Sequence, residues 1–255
     1  MSERRLAEGA HSGRVRQAPT GSHGRDRRQQ GQEAVEDYAK AIYALSRQAP
    51  EEPVSTTAIA ARLGVAPGTV TAMLKRMDKL GLVEHEPYKG VRLSEPGERL
   101  ALEVIRHHRL IEAYLAEALG MPWDRVHDEA EVLEHYISEE LEERMSAALG
   151  HPDRDPHGDP IPDRELSFAV AEDAVPLATL EPGARGVFAR VSDGDPEMLR
   201  YLSERSILPG AELEVTGRQP FGGPLVIEVG GAEHAIGEGL AERMFVTSGD
   251  GRRAS

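Results

Sequence analysis

The chain has 255 residues, carries 44 acidic against 30 basic side chains for a formal net charge of −14, and contains no cysteine. That length suits two small domains or one large one, and the lack of cysteine excludes disulfides, thiolate zinc sites and iron–sulfur clusters. No apolar run reaches the roughly 18 residues of a membrane span, and the N-terminus has arginines but no apolar signal segment, so a cytoplasmic protein with no membrane partner is expected.

Residues 1–31 are rich in Arg, Gly, Ser and Gln and hold almost no large apolar side chain, the composition of a disordered tail. A helical period starts near Glu33, with Val35, Tyr38, Ala39, Ile42 and Leu45 as its apolar stripe. The segment APEEP stops it. STTAIAARLG is a second helix, capped by Ser55 or Thr56 and ended by Gly64. A third starts near Pro67, with Val70, Leu74 and Met77 on its buried face. LVEHEPYKGVRLS then alternates as a hairpin with its tip between Pro87 and Gly90. Three short helices and a hairpin make a winged helix-turn-helix over 32–94, whose third helix lies in the DNA major groove.

Although the whole chain is acidic, residues 54–92 hold six Lys/Arg and three acids, a local +3. The third helix exposes Thr69, Thr71, Lys75 and Arg76, and the wing offers Tyr88, Lys89 and Arg92. Together with Thr56, Pro67 and Gly68 these are the candidate contacts to double-stranded DNA, because small hydroxyls and bases suit phosphates and base edges.

Two long helices follow, one from Ser94 to Gly120 and one from a cap at Asp124 to Gly150. As a unit over 95–150 they are expected to build a homodimer interface, since a two-fold reader meets two half-sites. HPDRDPHGDPIPDRE, within 151–166, reads as a proline-rich linker with His151 and His157 exposed. The rest, 167–248, changes period. RGVFARVS, AELEVTGR, PLVIEVG and EHAIG are short strands, and PEMLRYLSER is one helix with Met198, Leu199 and Leu202 inward, which fits a small SH3-like barrel. The predicted fold is therefore mainly α with a small β domain.

The chemistry concentrates on the two long helices. His108 and Glu112 stand at i, i+4 on the first. On the second, His127, Glu131, Glu134 and His135 fall within an arc of roughly 100°, in a stretch 127–145 holding eight acids and one arginine. Oxygen and imidazole donors without thiolate suit Mn2+ or Fe2+ at least as well as Zn2+. Asp128 and Glu129 read as solvent-facing or helix-start acids. No nucleophile, phosphate loop or H-E-x-x-H zinc motif stands out, so no enzyme is expected.

The stretches VEDYAKAIYAL, RLGVAPGTVTAMLKRMDKLGLV, HHRLIEAYL, VHDEAEVLEH and GDPIP, in order from about Glu33 to Pro162, resemble the diphtheria-toxin-repressor family of metal-dependent transcriptional regulators, with its manganese- and iron-responsive branches. The resemblance implies a metal-activated regulator of metal homeostasis, a repressor in its usual form, with Mn2+ or Fe2+ in two sites per subunit and a C-terminal SH3-like (FeoA-like) domain. Position by position it implies a primary site of Asp37, Glu131, Glu134 and His135. It implies a secondary site of His108, Glu112 and His127, in some members completed from the barrel, with Asp193, Asp195 and Glu197 as candidates here. Asp37 and Glu131 are carboxylates where the iron branch has sulfur, which points to manganese. Lys40 stands where short manganese-type members have a further glutamate, while the barrel is an iron-type feature. Arg109 fits the iron branch's anion-contacting pattern, but Asp155 and Asp159 stand where neutral polar residues are usual.

On this reading Asp37 faces Glu131 and Glu134 in the metal-free chain, and the three carboxylates repel one another until a cation bridges them. The competing expectation is a metal-independent winged-helix regulator that senses a small organic ligand between the dimer helices.

Overall fold

A computed structural model describes residues 22–86, 89–168, 173–192 and 194–248. Helix α1 runs Ser22–Ser46, so it begins eleven residues ahead of Glu33 and takes in part of the expected tail; residues 1–21 lie outside the described residues. The added segment is dominated by Arg and Gln, good helix formers that extend a helix once its packed part has nucleated it. Helices α2 (Thr56–Leu63) and α3 (Pro67–Lys79) follow. Ser55 is the cap of α2: its Oγ accepts from Ala58 N at 3.1 Å, and Gly64 ends the helix at φ +64°. Strands β1 (Val83–Glu86) and β2 (Gly90–Leu93) pair antiparallel as the wing, Val83 opposite Leu93. Val70, Leu74 and Met77 of α3 are fully buried against Ile42 and Ile59, which leaves the polar side of α3 outward.

Helix α4 spans Glu95–Glu117, capped by Ser94 Oγ on Gly97 N, with Glu95 and Glu98 in its first turn, where acids suit the helix dipole. The second long helix of the sequence reading is two helices. These are α5, Val126–Leu133, starting after Arg125 where a cap at Asp124 was expected, and α6, Glu139–Ala148. The break has two causes, one tertiary and one local. His107 Nδ1 donates to the Glu134 carbonyl at 3.2 Å, and Ser138 Oγ caps α6 by accepting from Leu141 N at 3.3 Å. Glu134 and His135 thus end α5 and enter a turn instead of continuing a straight face.

The C-terminal domain is a six-stranded antiparallel sheet of order β3-β8-β4-β5-β6-β7. Its strands are β3 Ala174–Pro176, β4 Arg185–Val191, β5 Glu212–Arg218, β6 Leu225–Val229, β7 Ala232–Ile236 and β8 Met244–Ser248. Strands β3 and β8 were not read from the sequence; both are short, and β3 ends at Pro176. Helix α7 (Pro196–Ser203) buries Leu199 and Leu202 while Met198 is half-buried, and α8 is a single turn, Glu238–Ala241. The sheet curls around Phe188, Val215, Ile227 and Met244.

The expected linker is packed. Asp155, His157, Gly158, Ile161 and Pro162 are buried. Arg106 and Arg109 of α4 reach the carbonyls of Pro162 and Pro160, each at 2.5 Å. On the barrel side Val191 N donates to His157 O at 3.0 Å. His151 is exposed as expected, but His157 is not: it is fully buried, its Nε2 donating to Trp123 O at 2.8 Å and its ring stacked on Trp123. Among the described residues no single helix is long and apolar enough to cross a membrane.

Candidate metal centre

Helices α1, α4 and α5 converge on one cluster. His135 sits between two acids of α1, with Nδ1 donating to Glu36 Oε2 at 2.7 Å and Nε2 lying 3.1 Å from Asp37 Oδ1. Gln32 Nε2 in turn donates to Glu36 Oε1 at 2.9 Å. A carboxylate behind an imidazole orients the ring and fixes which nitrogen faces the site. Glu134 is the junction. Its Oε1 is 3.7 Å from His135 Nε2, its Oε2 is 2.5 Å from His108 Nδ1, and its side chain is fully buried. Asp37, Glu134 and His135 present one donor atom each, all within 4.8 Å of one another.

Next to it, His108, His127 and Glu131 form a second such group. His108 Nε2 is 3.1 Å from both Glu112 Oε1 and His127 Nδ1, and His127 Nε2 is 3.8 Å from Glu131 Oε1. All seven residues assigned to the two sites therefore come together. Glu131, however, groups with the histidines of the secondary set, its Oε1 being 3.7 Å from His108 Nδ1.

A third group, Glu112, Asp155 and His157, is wholly buried. Because a carbonyl only accepts, the bond to Trp123 O places the proton of His157 on Nε2 and turns Nδ1 toward Glu112 Oε2 at 3.6 Å. Glu112 Oε2 is itself buried without a hydrogen bond. An imidazole nitrogen and a carboxylate oxygen facing each other in a buried site are a donor pair suited to a cation. The sequence reading did not group Asp155 and His157 with Glu112. Their Pro- and Gly-rich surroundings look like surface chain, and only the docking onto Trp123 and α4 buries them. Of the barrel candidates, Asp193 lies outside the described residues. Asp195 caps α7, accepting from Glu197 N at 3.0 Å, and among the described residues neither Asp195 nor Glu197 joins a donor group.

Lys40 changes the electrostatics. Its Nζ donates to Glu131 Oε1 at 2.7 Å and to Glu134 at 2.7 Å (Oε1) and 3.0 Å (Oε2). The expected repulsion among three bare carboxylates is thus corrected, since an ammonium already compensates two of them. Burial pulls the Lys40 pKa down, but Glu134 and Glu131 outweigh it and the net shift is upward. His108 is likewise pulled down by burial and pushed up by Glu112 and Glu134, to about 9. His135 is raised to about 10, by Asp37 first and Glu36 second. Burial raises Asp155 well above the usual carboxylate range, with Glu112 adding to it.

These shifts set a pH dependence for the metal-free fold. A group whose folded pKa is raised stabilises fully below its unfolded value, here 6.5 for histidine, and loses that contribution as pH rises through the folded value, here about 9 to 10. The melting temperature in chelator is therefore expected to fall as pH rises from about 6.5, with this contribution gone above about 10. A midpoint flat up to pH 10 would contradict it.

In the first domain, Pro67, Gly68, Thr69, Thr71, Lys75 and Arg76 are exposed along α3, and Thr56 is half-buried. Thr71 Oγ1 donates to its own helix at Pro67 O, 3.0 Å away. Arg92 does not project freely: its guanidinium donates to Pro50 O at 3.2 Å and to Glu51 O. Lys89 lies at the wing tip, and Tyr88 falls outside the described residues.

Residues 32–91 match the family model described as iron dependent repressor, N-terminal DNA binding domain. Residues 94–163 match its metal binding and dimerisation domain, and 175–248 match the FeoA domain. The iron-dependent repressor IdeR of Mycobacterium tuberculosis is 34% identical over 216 residues, covering 79% of this chain and 91% of that protein. The diphtheria toxin repressor of Corynebacterium efficiens is 30% identical over 228 residues, covering 86% and 97%. Among solved structures, a manganese-dependent transcriptional repressor in complex with manganese superposes with a TM-score of 0.77 at 39% identity, over 84% of this chain and 99% of that one. ScaR with bound Zn2+ gives 0.70 at 30% identity, over 84% and 99%.

Proposed function

The chain belongs to the iron-dependent repressor family of metal-dependent transcriptional regulators, and from that premise we propose that it is a Mn2+-activated repressor of metal-homeostasis genes, binding operator DNA as a homodimer through α3 and the wing. Fe2+ is the other ion the donors suit. The observation that carries this reading is the joint between the two modules. Helix α1, which packs under the reading helices, faces α5 of the dimerisation region through Glu36, Asp37 and Lys40 on one side and Glu131, Glu134 and His135 on the other.

The donor set is compatible with a metal: carboxylate and imidazole atoms converge within 4.8 Å, and one of the two buried oxygens of Glu112, Oε2, lacks a hydrogen bond. A divalent cation bound there supplies positive charge and fixed bonds between groups of opposite modules. Asp37 carries α1 to the site, Glu36 holds the His135 ring, and Glu134 links the primary set to His108 and Glu112. Fixing α1 against α5 fixes the spacing of two α3 helices in a dimer, which is what a two-fold operator reads. The exposed apolar side chains Val132, Tyr136 and Leu141 of the α5–α6 region are suited to the second copy.

Donor chemistry favours manganese over the thiophilic metals because the chain has no cysteine and the grouped donors are oxygen and nitrogen, although raw affinity rises toward Zn2+ and Cu2+. The decisive experiment selects an operator duplex and titrates binding with Mn2+, Fe2+ and Zn2+ at one fixed salt concentration, because phosphate contacts make affinity salt-dependent. Mn2+ is expected to tighten binding sharply and Asp37→Ala to remove the gain. Equal affinity in chelator and in Mn2+ sinks the proposal.

A further inference from the structure

We propose that Lys40 is a built-in cation of the primary site: in the metal-free chain its ammonium occupies the Glu131–Glu134 carboxylate pair, latches α1 to α5, and competes with the metal for Glu134. The inference rests on the reading of Glu131 and Glu134 as metal ligands.

Lys40 lies one helical turn beyond Asp37 on α1, so both project toward α5. Its Nζ makes three short contacts to two carboxylates from a position that is only 19% exposed, and Glu134 is not exposed at all. This is not a solvated surface pair. Burying the Glu134 carboxylate without a counter-charge is unfavourable, and Lys40 supplies that charge from the other module. Lys40 holds both oxygens of Glu134, so whichever of them joins Asp37 and His135 in the donor group is already claimed by the ammonium. Two cations therefore claim one oxygen, and like charges at such separations repel strongly in a partly buried site.

Two consequences follow. The latch keeps the reading module near its docked position before metal arrives, so activation is a tightening of an existing contact more than an assembly of separate parts. It also sets the threshold, because the ion binds only as tightly as it outcompetes an ammonium already in place.

The test uses the full-length dimer, wild type, Lys40→Met and Lys40→Arg, with two readouts that do not involve DNA. Hydrogen–deuterium exchange in chelator is expected to show faster exchange across 37–46 of α1 in Lys40→Met, restored by Mn2+, while Lys40→Arg stays near wild type. Calorimetry with Mn2+ is expected to show binding about tenfold tighter in Lys40→Met, from loss of the like charge, and unchanged or weaker in Lys40→Arg. Identical α1 exchange and Mn2+ affinity in wild type and Lys40→Met would overturn the proposal, as would Lys40→Arg behaving like Lys40→Met. If wild type binds no Mn2+, the metal-activated function fails separately, and the exchange in chelator still decides the latch.

Discussion

Glu134→Gln is expected to remove the Mn2+ response of operator binding, with a loss of a hundredfold or more in the metal-stimulated affinity. The change keeps volume and shape and removes one charge. Glu134 is the only carboxylate of the cluster in contact with Lys40, His108 and His135 together, at 2.7, 2.5 and 3.7 Å. Removing a supporting group around a metal costs about 10- to 100-fold, and a direct ligand should cost at least the upper end. The metal-free chain should also lose stability, because Lys40 and His108 would then face an amide. Breaking a buried pair from one side costs about 3 to 5 kcal/mol, and Lys40 at 19% exposure puts this case near the lower figure. Fluorescence anisotropy on a labelled operator with Mn2+ and with chelator reads the first effect, and thermal melts in chelator read the second. An undiminished Mn2+ response would remove Glu134 from the centre.

Gly97→Ala is expected to be the most destabilising glycine-to-alanine change among the described glycines of the N-terminal half. Gly97 lies in the first turn of α4, where the wing folds back on it. A Cβ there would land on the Leu82 carbonyl oxygen and lie 2.9 Å from Leu82 C. That carbonyl already accepts from Ser94 N at 3.0 Å, and Ser94 Oγ also caps α4 through Gly97 N. Backbone faces backbone, so no side-chain rotation makes room. We expect a loss of about 3 kcal/mol or more, within the range for overpacking and broken caps, or roughly 6 to 12 °C in melting temperature for a chain of this size. Gly68→Ala is the control, since an added Cβ there meets nothing within 4 Å; it should be neutral or slightly stabilising. Equal melting temperatures for the two variants would refute the packing argument.

Much of the centre could be read without coordinates because its spacing is local. His108 with Glu112, and His127 with Glu131, are one helical turn apart in any helix, and α-helical periodicity was unambiguous over both stretches. The end of α2 at Gly64 and the start of α4 at Ser94 were equally legible, because an αL glycine and a hydroxyl cap act within four residues of chain. Short strands were harder. β3 offers three residues and no alternation, so it becomes a strand only by pairing with β8, Ala174 against Thr247.

Charge, period and capping residues alone determined a winged helix-turn-helix, two His- and Glu-bearing helices and a terminal β domain, since each is written in contacts between residues a few positions apart. Which side chains of different segments meet was decided by the tertiary structure. Helix α5 ends at Glu134 because His107, 27 residues earlier, takes its carbonyl. His157 is a buried partner of Glu112 because Trp123 and α4 cover a segment whose composition reads as solvent-exposed. Lys40, an unremarkable base in a helix, becomes the counter-ion of Glu131 and Glu134 across separations of 91 and 94 residues. Such pairings depend on how helices cross and where loops dock, and a periodic pattern in one segment contains neither.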